Sequence, residues 1–526
     1  MVVPTWADVA NELRPFTGAY VSRSLAAAAT IPSSLVTLSL YHGGTLLDYR
    51  RDPEGTALTS ADGAHWSPAG VSTPEHFGAV GDGVTSDNVA LTLWAAWGGL
   101  MEAGPLSSYA APARTGRVEF ADGSVTEFNR ARFIQGYQQN DNTHVMEIGD
   151  NASVSGLTYE FDGAAFAQRG VYLNSGARVS DWRVTAETEG PIPNDVRDGF
   201  LVLRGPDIEI SGVDFSGPAS PIRFSPDVDT SRARISDIHL RNFTTGIVVD
   251  STAPGTVIRN VYVHSISSLA AGDPGHNVVN HGAADMLVHG IYQMFEGRGS
   301  GEHFVYFSVP DGTQNVRIES VYSNGSGQCF VKLRGHDGAV LSDCHGGPTA
   351  LGSAPGTNED GFRFEYCRNV RAKALSVRKG GAIAGYDGIH LNNCWSMVFS
   401  DVSLGAPGRS YVYICTPPPI EGFTGPAGGA VSDIIINGLT ATGAGVRPLV
   451  MCGPSDSDGE TTVKVGNITI DNLVWDGDTA KLFTTAPGMT LARTAGTTIR
   501  IRGLVSGQRV EYTWAAADGS PTLVVV

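Results

Sequence analysis

Residues 360–377 read DGFRFEYCRNVRAKALSV, and two other stretches copy the pattern: DGFLVLRGPDIEISGVDF at 198–215 and DGIHLNNCWSMVFSDVSL at 387–404. Aligned on Asp-Gly, the copies are apolar at the same places. These are Phe200, Val202, Ile208, Ile210, Val213 and Phe215; Phe362, Phe364, Val370, Ala372, Leu375 and Val377; and Ile389, Leu391, Met397, Phe399, Val402 and Leu404. Within each pair the spacing is two, the period of a strand with one buried face. Polar residues separate the pairs, so one copy predicts strand, turn, strand, turn, strand. The second and third copies start 27 residues apart, at Asp360 and Asp387, too close for helical crossovers between parallel strands. The arrangement that satisfies these constraints is all-β: a parallel β-helix, in which each coil of three short strands stacks on the next.

Working outward, residues 101–505 read as turns and short alternating strands. Looser copies stand at 257–266, 316–324, 431–443, 465–475 and 498–507. At ~25 residues per coil this predicts roughly 16 coils. Before them, residues 1–34 form a partly helical leader, 35–70 a small β unit, and 71–100 a glycine-rich motif with a helix. In that helix Ser86 or Asp87 serves as cap, and Val89, Leu93 and Trp97 recur every four residues. Its expected task is to cover the open edge of the first coil. Residues 506–526 end in an apolar strand, which favours pairing with symmetry mates.

The chain has 526 residues, 66 of them Gly, and only 17% are charged. Its net charge of −17 argues against a nucleic-acid partner. It also supplies no long-range attraction to an acidic polymer, which must then be gripped by local basic groups. No uninterrupted apolar run reaches the ~18 residues of a membrane span, and the first residues lack the basic start and apolar core of an export signal. Cys367 and Cys394 share one repeat position, which predicts a ladder of buried thiols. No Cys/His spacing suggests a metal, and no cofactor is expected.

Phe77-Gly78-Ala79-Val80-Gly81-Asp82-Gly83-Val84-Thr85-Ser86-Asp87 resembles the FGAxGDGxTxD motif of the pectate-lyase-like superfamily. That superfamily includes pectate lyases, polygalacturonases and bacteriophage tailspikes, all right-handed parallel β-helices. The preceding residues, Ser24 to Pro32, Gly43-Gly44, Tyr49 to Arg51 and Thr59 to Trp66, resemble the leader of phage tailspikes and tail fibres. Together the two cover about residues 20–97. The resemblance implies a homotrimeric spike, attached to a phage or phage-derived particle through its N-terminus and displayed on the particle surface. It further implies a protein made without a signal peptide and released by lysis, which binds, and often cleaves, bacterial surface polysaccharide.

Polysaccharide hydrolysis needs two carboxylates facing one sugar. A lyase needs a base and a cation. Asn358-Glu359-Asp360-Gly361 and Gly385-Tyr386-Asp387-Gly388 resemble the NTDG and GDD motifs of polygalacturonases. They depart from them in having one Asp where the second motif has two, and no Gly-His-Gly or Arg-Ile-Lys follows. Because Asp-Gly recurs at Asp198, the first expectation for it is turn chemistry, with Asp capping locally and Gly accepting positive φ. The outward positions vary between copies and are more informative. Lys332, Arg334, Arg363, Glu365 and His390 are expected on one exposed sheet, with His336, Asp337 and Glu359 in adjoining loops. Catalytic candidates are Glu365, Asp387, Asp360, Glu359 and His390; sugar-binding candidates are Lys332, Arg334, Arg363, Tyr306 and Trp395. Tyr386, like Tyr306 and Trp395, offers an aromatic face for sugar rings, and His303, Glu302 and Glu296 are secondary candidates. The long segments 346–358 and 417–429 are expected to wall a groove. The alternatives are a non-enzymatic receptor-binding or structural spike, and a cellular pectinase-like lyase or hydrolase.

Overall fold

The computed structural model describes residues 19–525, except 43–44, 106, 112–116, 136–143, 162–169, 187–198, 218–219, 244, 250–252, 266–277, 281–282, 295–302, 324–328, 347–359, 378–386, 418–419, 424, 427–428, 446, 455–460 and 516–519. Glu359, Tyr386, Glu302, Glu296 and Asp198 therefore lie outside the described residues, as does the first stretch of the leader. The chain divides into two units, Met1–Ala219 and Ser220–Val526.

In the first unit an antiparallel sheet joins Thr37–His42, Thr45–Arg51 and His65–Pro68. The glycine-rich motif follows. Gly78 adopts φ 100° after a short 3-10 turn, and the Asp82 carboxylate accepts from Val84 N, Thr85 N and Thr85 Oγ1. Asp87 precedes the helix Asn88–Trp97 but does not cap it. Its carboxylate accepts instead from Val80 N at 2.7 Å and Ala110 N at 3.3 Å, tying the motif to a strand. The expected helix face is corrected: Val89 and Leu93 are exposed, while Leu91, Trp94 and Ala95 are buried. Trp94 packs edge-on against Phe120 and Phe128, because the large ring buries more apolar area than either alternative residue.

The second unit is right-handed parallel β-helix. Counting one strand per coil along one sheet, ten run among the described residues from Ser220–Phe224 to Phe483–Thr485. The described residues of the first unit have four, from Val118–Phe120 to Gly199–Leu203. These are fewer than the roughly 16 coils expected, because coil length varies: between register partners, Asp387 to Ser410 is 23 residues and Val412 to Val450 is 38. All the apolar repeat positions are buried. The repeat's last two strands form one continuous strand, kinked at a single left-handed residue. In successive coils that residue is Asp237, Asn260, Gly290, Ser320, Asp343, Ala374 and Asp401, with φ between 53° and 75°. Asp and Asn tolerate this conformation through their short polar side chains. Parallel stacking ends at Ile499–Val505, which pairs antiparallel with Gln508–Trp514 and that in turn with Thr522–Val525.

The Asp-Gly pairs do not make left-handed turns. Neither Gly361 nor Gly388 is among the positive-φ residues. They are glycine because space is lacking. A Cβ on Gly361 would sit 2.4 Å from Val377 Cγ2 and 2.6 Å from Gly388 O; one on Gly388 would sit 2.7 Å from Tyr411 O. Gly361→Ala is therefore expected to destabilise the protein by about 1–3 kcal/mol through overpacking. Urea unfolding followed by circular dichroism checks this, and an unchanged midpoint contradicts it.

Candidate functional site

Five successive strands of the second unit carry the site: β1 (His303–Gln314), β2 (Cys329–Asp337), β3 (Asp360–Glu365), β4 (Asp387–Asn392) and β5 (Ser410–Cys415). Their register aligns three polar rows across the coils. One row is His303, Cys329, Asp360, Asp387 and Ser410; the next is Tyr306, Lys332, Arg363, His390 and Tyr413; the third is Ser308, Arg334, Glu365, Asn392 and Cys415. Neighbouring rungs in such a stack lie ~4.8 Å apart, so side chains on adjacent coils meet directly.

Glu365 is the hub of the third row. Its side chain is 1% exposed and pairs with three cations: Arg363 Nε at 2.6 Å, Lys332 Nζ at 3.6 Å, and Arg334 Nε. Burial works to raise its pKa, but Arg363, Lys332 and Arg334 together hold it far below the usual carboxylate range. The cations keep partial access to solvent, at 13% for Lys332, 16% for Arg363 and 26% for Arg334. Lys332 Nζ lies 5.0 Å from the centre of the Tyr306 ring, and Arg334 stands over Phe423 at 5.5 Å. His303 is buried beside Tyr306. Burial, then the charges of Lys332 and Arg363, push its pKa well below 6.5.

Asp360, Asp387 and His390 are fully buried. Asp360 Oδ2 lies 3.0 Å from His390 Nδ1 and 3.2 Å from Arg363 Nη1. Asp387 accepts from Arg409 Nε at 2.9 Å, Ser410 N at 3.1 Å and Ser410 Oγ at 2.7 Å. Arg409 stacks on Tyr413, 3.6 Å from the ring centre. Donor atoms of the two aspartates and His390 fall within 4.8 Å of one another. By spacing they could ligate a cation, but Arg363 and Arg409 already neutralise both carboxylates, so none is assigned.

The two aspartates are driven apart. Burial and the nearby Asp360 charge raise Asp387 to about 6, against the pull of Arg409 and His390. Burial also acts to raise Asp360, but His390, Arg363 and Arg409 outweigh it and lower it to about 2. Between pH 3.8 and about 6, Asp387 therefore takes up a proton on folding. Its contribution to stability is complete below its ordinary value of 3.8 and is lost as pH rises towards about 6. Asp360 runs oppositely: its contribution is complete above 3.8 and is lost as pH falls towards about 2. Asp387→Asn should remove the first dependence. The melting temperature of the variant minus that of the parent should then rise between pH 3.8 and about 6. A flat difference contradicts the assignment.

The structure brings Lys332, Arg334, Arg363, Glu365, His390, Asp360, Asp387 and Tyr306 onto one face. The contacts above desolvate its carboxylates and imidazole, while Lys332, Arg334 and Arg363 keep partial access to solvent. The Tyr306 ring meets Lys332 instead of standing free for a sugar. Trp395 lies elsewhere, on a strand paired with Ser432, where Arg368 stands 5.6 Å from its ring centre and ion-pairs with Asp337. His336 and Asp337 belong to β2 and not to a loop. Of the segment 417–429, Pro417 O accepts from Asn393 Nδ2 at 2.8 Å, and Phe423 packs near Tyr366. Sequence reasoning missed Arg409, Tyr413 and Cys415. The run SYVYIC at 410–415 gave no signal, because all six of its residues are buried and no alternation survives.

Elsewhere, a shallow groove in the first unit is lined by Glu102, Glu127, Asn129, Arg130 and Asp181. Its two glutamates are in register on neighbouring strands, and Asn129 Nδ2 donates to Glu102 Oε1 at 2.7 Å.

Among solved structures the chain is similar to the tailspike protein of E. coli bacteriophage HK620, in a double-mutant form. Identity is 10% over 88% of this chain and 87% of that one, with a TM-score of 0.51. Bacteriophage phi29 gene product 12, in its pre-mature form, has 13% identity over 86% of this chain and 58% of that one, TM-score 0.48. The A-module of mannuronan C-5 epimerase AlgE4 from Azotobacter vinelandii has 11% identity over 82% and 100%, TM-score 0.36. No family model matches the chain, and no curated protein matches it. At such identity the likeness to the HK620 tailspike is one of fold: both are right-handed parallel β-helices.

Proposed function

We propose that this chain is a spike of a phage or phage-like particle that binds bacterial surface polysaccharide through the face of β1 to β5. The observation that carries the reading is the set of partly accessible cations, Lys332, Arg363 and Arg334, all pinned by one buried Glu365. Preorganised cations suit the carboxylates of an acidic glycan, since their side-chain entropy is already spent. Such local grip is what a chain of net charge −17 requires. The tailspike fold supports the particle setting. In this reading the residues before about 34 serve attachment and the chain acts as a homotrimer, with the exposed Thr522–Val525 strand available for self-association.

A second reading is depolymerisation, favoured by the opposite shifts of Asp387 and Asp360. Two carboxylates driven apart are a pattern for an acid and a base. The test is to incubate the protein with capsular and exopolysaccharides from candidate hosts. Retention, reducing ends and the ultraviolet absorbance of unsaturated sugar ends are followed together. Retention without shortening is the result expected. Shortening would move the assignment to the Asp387 and Asp360 pair, and absence of retention across the panel would remove the polysaccharide reading.

A further inference from the structure

Cys415 differs from the other thiols. Cys344, Cys367 and Cys394 donate to backbone carbonyls, those of Ile318, Leu333 and Phe364 among them. Burial raises the pKa of Cys344 to about 12 and carries those of Cys329 and Cys452 higher still. Cys415 stands in the polar row beside Asn392, and its Sγ lies 3.2 Å from His390 Nε2. The other nitrogen of that ring, Nδ1, is 3.0 Å from Asp360 Oδ2. A thiol on one imidazole nitrogen and a carboxylate on the other is the arrangement of nucleophile, base and orienting group. Two oxygens of this cluster, Asp360 Oδ1 and Asn392 Oδ1, are buried with no hydrogen-bond partner among the described residues. Buried oxygens are rarely left unmet, so the cluster retains hydrogen-bonding capacity for a ligand.

We infer that Cys415, His390 and Asp360 form a thiol triad that removes ester-linked acyl groups from the polysaccharide. The inference rests on the binding function proposed above. Cys415 would pass its proton to His390 Nε2 as Sγ bonds to the ester carbonyl carbon. The carbonyl–oxygen bond to the sugar then breaks, and the sugar oxygen takes that proton. Water attacks the thioester, releasing the carboxylic acid and restoring the thiol. Asp360 is a positioning residue, holding the Nδ1 proton and the ring orientation. An ester is the matching substrate class because a thiolate attacks an acyl carbon readily, whereas glycosidic cleavage calls for an acid at the leaving oxygen. Only the acyl carbonyl must reach Sγ and all three groups are enclosed, so a small ester tests the step most directly.

The full-length protein is assayed with p-nitrophenyl acetate, and separately exposed to iodoacetamide under native conditions with the modified residue identified by mass spectrometry. Ester turnover is expected, falling at least about 100-fold in Cys415→Ala. Asp360→Asn should lower the rate and move its pH profile. Cys415 should be the first thiol alkylated in the unaltered chain, which requires no variant to fold, and His390→Gln should slow that labelling. No turnover, equal turnover in Cys415→Ala, or labelling that does not favour Cys415 overturns the triad. Polysaccharide retention, measured on the same preparations, reports on the binding function separately: a failed triad with retention intact leaves that function standing.

Discussion

Glu365→Ala is expected to destabilise the protein by about 3 kcal/mol, the largest loss for any single change on the charged face. The reason is asymmetry. The carboxylate is 1% exposed and serves Lys332, Arg334 and Arg363 at once. Removing one partner of a buried pair leaves the others uncompensated, at a cost of roughly 3–5 kcal/mol. The partial solvent access of the three cations places the expectation near the lower end of that range. Glu365→Gln keeps the shape and one accepting oxygen, although its NH2 meets donors, so it should lose less than Ala while still leaving the excess positive charge. Urea unfolding of both variants checks the order. A Gln variant as unstable as the Ala variant would mean that charge dominates over shape, and an Ala variant as stable as the parent would remove Glu365 as the hub.

The second large effect concerns binding. Lys332 and Arg363 occupy adjacent rungs of one row and share Glu365. Replacing both by Ala should weaken retention of an acidic polysaccharide by about 10–100-fold or more, since a hydrogen bond to a charged group contributes roughly 1.5–3 kcal/mol. The parent's affinity should fall with added salt more steeply than that of the double variant. Melting of the double variant must be recorded alongside, because Glu365 then keeps only Arg334. Unchanged affinity in a folded double variant contradicts the placement of the glycan.

The β-helix was legible in the sequence because its signal is repeated. Each coil must bury the same small set of inward side chains, so Phe362, Phe364, Ile389 and Leu391 betray their spacing without any knowledge of their neighbours. The outward rows were legible for the same reason: Lys332, Arg363 and His390 alternate with core residues and fall into register. What could not be read was set by contacts between coils. The Asp-Gly pairs looked like turn residues because local sequence reports local chemistry. Their aspartates instead bond His390, Arg363, Arg409 and Ser410, the last two 22 and 23 residues beyond Asp387. Their glycines answer to Val377 and Tyr411 across the stack. Burial of the carboxylates and imidazole on that face was equally invisible, because outward positions in a solenoid are ordinarily wet. Cys415 escaped notice inside an apolar run, although its role depends on His390 of the preceding coil.

The most direct test is a structure of the protein with an oligosaccharide cut from a polysaccharide that it retains. The sugar is predicted on β1 to β5, with its acidic groups against Lys332 and Arg363. A glycan bound solely in the groove of Glu102 and Glu127, or away from both, would contradict the assignment of the charged face as the site of recognition.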